Sequence, residues 1–192
     1  MRGFILLFLF LFLFLFLFLF LILGVVGCND EKEAPFGYHW GITPYSVKSK
    51  GSAIYTESEE KNGIIVSFTS TVPENGFRDG FYRHYFKNKK LNRIVFNTYD
   101  ISGDKSNGIA KYESLKSKLI EKYGPPISTS EYVNSDKFNF YPCIINVNCG
   151  SWQSRFIAND YTIKIYLGMS EQGNKYGENR DKGSVYIEYT ER

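Results

Sequence analysis

The chain has two imidazole bases, His39 and His84. His39 stands between Tyr38 and Trp40, and His84 falls in the middle of the run Phe81–Phe86. A general base works only within hydrogen-bond reach of the proton it takes. Neither histidine lies in a motif that presents a nucleophile to it. There is no G-x-S-x-G elbow, no H-E-x-x-H or EF-hand pattern, and no G-x-x-x-x-G-K-[ST] phosphate loop. Glu57, Glu59 and Glu60 could serve as an acid or base with a distant carboxylate. They sit in the charged stretch Thr56–Asn62, which reads as a solvated turn. Both histidines are given a structural or surface role. No catalytic residue, metal site or cofactor is assigned.

The third reactive type is cysteine, at Cys28, Cys143 and Cys149. Cys28 closes a stretch that begins MRGF, alternates Leu and Phe from Leu7 to Leu21, and ends ILGVVGC. A basic start, a long apolar run and small residues before a cysteine are the marks of an export signal. Val25-Val26-Gly27-Cys28 resembles the lipobox of bacterial lipoproteins. That resemblance implies cleavage before Cys28, fatty acylation of its thiol and new amino group, and a membrane anchor. In such proteins an Asp directly after the cysteine marks retention at the inner membrane. Asn29 stands there, so the expectation is the periplasmic face of the outer membrane in a Gram-negative host. The competing reading is an uncleaved signal anchor, because Phe4–Leu23 is long enough to span a bilayer. With Cys28 lipidated, Cys143 and Cys149 form an even remainder in an exported chain and are expected to pair as a disulfide.

Residues 1–27 are thus read as a signal and 28–36 as the lipidated cysteine with a polar tether. Residues 37–192 are enough for one domain with a real core. The whole chain has 23 Lys and Arg against 20 Asp and Glu. The cations are scattered, so nucleic acid is not an expected partner. Fifteen tyrosines favour strands and also suit binding surfaces.

Elements follow from periodicity. Thr43 is placed to cap a short helix with Pro44 in its first turn, and with Tyr45 and Val47 as candidate inner residues. Gly63–Val72 reads as a strand. Phe81–Lys87 and Leu91–Tyr99 read as a hairpin about Asn88-Lys89-Lys90. Ile109–Tyr123 is the strongest helix: Tyr112, Leu115, Leu119 and Tyr123 share a stripe, Gly124 supplies a left-handed cap, and Pro125-Pro126 stop it. Ser128–Tyr141, Ser151–Ala158, Tyr161–Gly168 and Ser184–Thr190 read as further strands. Asn159-Asp160 is placed as a two-residue turn able to reach positive φ. Met169–Gly183 is a long polar loop, read as a mobile connection that could also serve binding.

A short helix with strands followed by a long helix with strands suggests two similar units. The fold class predicted is α+β: an antiparallel sheet with a short N-terminal helix and one longer amphipathic helix packed on one face. Two motifs carry a family resemblance. One is W-G-x-[ST] at Trp40–Thr43. The other is Y-x-x-L-x-x-x-L-x-x-K-Y-G-x-P, at Tyr112, Leu115, Leu119, Lys122, Tyr123, Gly124 and Pro126. The mature domain resembles SmpA/OmlA-type lipoproteins and β-lactamase-inhibitor protein. That implies a fold and no chemistry, because these residues pack and cap.

The function expected is a non-enzymatic binding or assembly module that meets an envelope protein through Tyr82, Tyr166 and Tyr186. Two alternatives stay open: an inhibitor or immunity protein, and an envelope hydrolase whose carboxylates leave no local motif.

Overall fold

The computed structural model describes residues 12, 14, 32–50, 55–60, 63–101, 105–134, 139–146, 148–170 and 182–192. The chain divides into two compact units, Met1–Glu31 and Lys32–Arg192. In the first, Phe12 and Phe14 are helical and exposed. The expected signal, Cys28 and most of the tether lie outside the described residues. Among the described residues no helix is long and apolar enough to cross a membrane.

The second unit is mostly sheet with a minority of helix, and so α+β. It opens with a 3-10 turn, Pro35–Gly37, and helix α1, Pro44–Ser49. Strands β1 (Tyr55–Glu60), β2 (Ile64–Thr69), β3 (Gly80–Lys87) and β4 (Lys90–Thr98) follow. Then come α2 (Lys105–Tyr123), β5 (Ser128–Val133), α3 (Phe140–Ile144), β6 (Gly150–Ile157), β7 (Tyr161–Met169) and β8 (Gly183–Glu191). The eight strands form one antiparallel sheet in the order β1-β2-β3-β4-β8-β7-β6-β5. Each half begins with a helix and supplies four strands, the second with α3 inserted between β5 and β6, and the halves join where β4 pairs with β8.

Local chemistry explains most boundaries. Thr43 Oγ1 accepts from the Ser46 N–H at 3.3 Å, and Pro44 takes a first-turn position where a missing N–H costs nothing. The β3–β4 hairpin turns on Asn88 and Lys89, both left-handed at φ 52° and 61°, the conformation that matches strand twist. Helix α2 ends on Gly124 at φ 79°, whose N–H bonds the Ile120 carbonyl at 2.9 Å. Tyr112, Leu115 and Leu119 are buried on it, and it packs against β6, β7 and β8. Ile163, Ile165 and Leu167 of β7 are buried while Thr162 is exposed, the expected alternation.

Several expectations are corrected. Tyr45 is 79% exposed and only Val47 turns inward. Residues two apart stand on opposite sides of a helix, so both could not be inner. Thr56–Glu60 of the expected turn belongs instead to edge strand β1, paired to β2. The strand over Ser128–Tyr141 stops at Val133, and Phe140–Ile144 is helical, with Pro142 tolerated in the first turn. Asn159 and Asp160 do not reach positive φ. The turn still falls on these two residues: the Ala158 N–H donates to the Tyr161 carbonyl at 2.9 Å and closes the hairpin around them. The tether also ends early: Ala34, Pro35 and Phe36 are buried. Phe36 packs edge-on against Tyr82 at 5.2 Å and Tyr189 at 5.1 Å, contacts that hold it at φ 66° despite the cost of that region for a bulky residue.

Candidate functional site

Strand pairing sorts side chains onto two sides of the sheet. Ile163 faces Tyr189, Ile165 faces Ile187, and Phe96 faces both Ile187 and Tyr82. These belong to the core that also takes the α2 stripe. The intervening residues form the far side: Arg83 and Tyr85 on β3, Arg93 and Asn97 on β4, Tyr186 and Glu188 on β8. Lys164 and Tyr166 of β7 and Arg155 of β6 complete it.

Tyr166 and Tyr186 are cross-strand partners whose rings stack at 4.9 Å and 9°. Lys164 Nζ lies 4.6 Å from the Tyr166 ring centre, and the Arg83 guanidinium 6.0 Å from that of Tyr186. The result is a ladder of cation, ring, ring, cation. Arg83 Nη2 donates to Asn97 Oδ1 at 2.6 Å, and the Tyr186 hydroxyl donates to the Met169 carbonyl at 2.7 Å. A second stack lies alongside, with Arg93 at 3.8 Å over Tyr85 and 3.9 Å from Glu188. Gly168 makes room for the ladder: a Cβ there would meet Tyr186 Cε2 at 3.1 Å.

Burial and neighbouring charge tune these groups. Burial pushes the Tyr166 hydroxyl well above its usual range, and Glu188 adds to that. Burial pulls the Lys164 ammonium below its usual value; Glu188 opposes this and Arg155 adds to it. The Tyr166 ring therefore stays neutral. What the arrangement offers a partner is the half-buried Tyr166 ring beside Lys164, held in place by its stack on the buried Tyr186.

The three expected tyrosines divide. Tyr166 is half-buried and Tyr186 is 5% exposed, its faces already taken by Tyr166 and Arg83. Tyr82 is a correction. It has no exposed surface and lies on the core side against Phe36 and Phe96, its hydroxyl donating to the Phe77 carbonyl at 3.1 Å. The reason is parity within FYRHYFK: Arg83 cannot be buried unpaired, so it takes the far side and Tyr82 turns in. Arg83, Arg93 and Arg155 are members of the site that sequence reasoning passed over. The alternation of Arg83 with Tyr82 and His84 was the signal for the first.

His84 is fully buried, edge-on to Tyr38 at 5.3 Å. Burial lowers its pKa to about 4, against a smaller opposing pull from the Ser67 backbone. Ser154 is fully buried too, bonded to the Tyr112 hydroxyl at 2.8 Å and to Thr129 at 3.0 Å. Glu131 accepts from Tyr112 at 2.8 Å and from Lys116 at 2.6 Å. This network ties edge strand β5 to α2. Cys143 and Cys149 are joined as a disulfide, their Cα atoms 5.0 Å apart. They staple α3 to the start of β6. Among the described residues no cluster of His, Cys, Asp and Glu could hold a metal ion. Residues 171–181 of the long polar loop lie outside the described residues.

Comparison with protein families, with curated proteins and with solved structures finds no match for this chain. Its function is therefore argued from the geometry above.

Proposed function

We propose that this chain is a lipid-anchored protein of the bacterial cell envelope whose globular unit is a non-enzymatic binding module for another envelope protein. The observation that carries the reading is the Lys164–Tyr166–Tyr186–Arg83 ladder. Rings and cations locked against each other lose little freedom on binding, so their contact area converts efficiently into affinity. In this reading α1 and α2 share the core side of the sheet and leave the far side to a partner. Val25-Val26-Gly27-Cys28 supports cleavage and acylation at Cys28, and Asn29 supports delivery to the outer membrane's periplasmic face.

The test is a pull-down with the detergent-solubilised full chain in envelope extract of its host. One stoichiometric protein partner is expected, lost with Tyr166→Ala and kept with the exposed control Tyr45→Ala. Cys28→Ser should leave an unprocessed precursor without acyl groups. Failure to retain any partner, with native or cross-linked extract, would sink the module. Normal acylation of Cys28→Ser would sink the anchor.

A further inference from the structure

The far side has a feature that the stacked rings do not use. Arg155 and Lys164 are direct cross-strand partners on β6 and β7. Like charges placed opposite each other destabilise a sheet, and neither forms an ion pair among the described residues. Glu188 faces Lys164 from β8 but lies 3.9 Å from Arg93. Among the described residues of β3 to β8, Arg83, Lys87, Lys90, Arg93, Arg155 and Lys164 fall on the far side with Glu188. Next to this pair a groove of about 400 Å³ opens, with Ser130, Gln153, Lys164 and Tyr166 among its lining. Its apolar wall is Tyr132, 40% exposed, and Ile145, 54% exposed at the stapled turn after α3. The groove thus combines Lys164, which has Arg155 as its cross-strand partner, with the exposed apolar side chains Tyr132 and Ile145.

We propose that Arg155, Lys164 and this groove hold an acidic, extended peptide segment of the partner. A carboxylate sits between the two cations and the neighbouring apolar side chain lies against Tyr132 and Ile145. The inference rests on the binding-module reading and names the chemistry of what binds. A bound carboxylate relieves the Arg155–Lys164 repulsion and the strain that burial puts on the Lys164 charge. A free inorganic anion would use the cations alone and leave the apolar wall bare, so a peptide fits the surface better.

The experiment uses the full chain in detergent and three probes: an end-blocked octapeptide alternating Glu and Leu, its Gln–Leu counterpart, and inorganic phosphate. The Glu–Leu peptide is expected to bind in calorimetry, with affinity falling as salt rises. Arg155→Gln and Lys164→Gln should each weaken it roughly tenfold, and Ile145→Ser several-fold. Without peptide, Arg155→Gln should melt no lower than wild type, because it removes a repulsion; a purely structural arginine would show the opposite. Absent Glu–Leu binding, equal binding of the Gln–Leu peptide, or phosphate binding as tight as the peptide would each overturn the inference. Lys164→Gln that still captures the envelope partner lost by Tyr166→Ala would overturn it too, while leaving the binding module intact. A wild-type chain that captures no partner fails the module itself.

Discussion

The two sides of the sheet are built from the same residue type and behave differently. On the core side Tyr82, Tyr112 and Tyr189 have at most 1% exposure. Tyr82 and Tyr112 direct their hydroxyls to protein groups, the Phe77 carbonyl and the Ser154–Glu131 pair. On the far side Tyr166 and Tyr186 stack on each other and are flanked by Lys164 and Arg83. A tyrosine is an apolar body with a polar tip, and its neighbours decide which part is used. Tyr82 and Tyr189 have the aromatic neighbours Phe36, Phe96 and Tyr161, so those rings act as filling. Far-side neighbours are long cations, so the rings become a platform.

The contrast can be broken most severely from the core. Leu119, 1% exposed on the α2 stripe, loses its packing and gains a buried charge in Leu119→Asp. The expected cost is roughly 4 kcal/mol or more, and circular dichroism should show an unfolded or barely folded domain. A mutant melting within a degree or two of wild type would refute the packing of α2.

Acid attacks the same side. His84 is held neutral with a pKa of about 4, below its ordinary 6.5. The unfolded chain binds a proton there that the folded chain refuses, so stability is full above pH 6.5 and falls as the pH drops towards 4. The shift corresponds to about 3 kcal/mol. Denaturant midpoints across pH 4–7 should show this fall, and His84→Phe should remove most of it. An unchanged acid limb in that variant would place the titration elsewhere.

A smaller effect is expected where the far-side groove meets the staple. Removing the disulfide with Cys143→Ser and Cys149→Ser frees a loop of sequence separation 6, worth about 2 kcal/mol. The melting temperature should fall while the far-ultraviolet spectrum keeps its strand signature. Loss of all structure would mean that the staple holds the whole sheet and not only α3.

The far side should tolerate change best. Tyr166→Ala removes half of a stack and leaves Ile165 and Leu167 in place, so the expected loss is about 1 kcal/mol. Its large effect is on partner capture. A variant that unfolds would make Tyr166 a core residue in practice and erase the distinction between the sides.

How much of this was legible beforehand follows the range of each interaction. The α2 stripe, the Gly124 cap, the Thr43 cap, the β3–β4 turn and the alternation of β7 were all readable, because each depends on neighbours within a few residues. The edge strand β1 was not, since its polar sequence has strand form only through pairing with β2. Nor was the burial of Phe36, which depends on Tyr82 and Tyr189 arriving from distant positions. The site was half legible. Tyr166 and Tyr186 stood out by type, whereas their partner Arg83 is brought in across β8 and β4.

By itself the sequence determined the helix and strand periods, the caps, the pairing of Cys143 with Cys149 and the absence of a local catalytic motif. These are matters of residue type and short spacing. The tertiary structure alone decided the sidedness: that Tyr82 faces the core, that Arg155 stands opposite Lys164, and that Arg83 and Arg93 share one side with Glu188. A one-residue change of register turns every side chain of a strand over. Register is settled by the packing of the whole sheet, and no single strand carries that information.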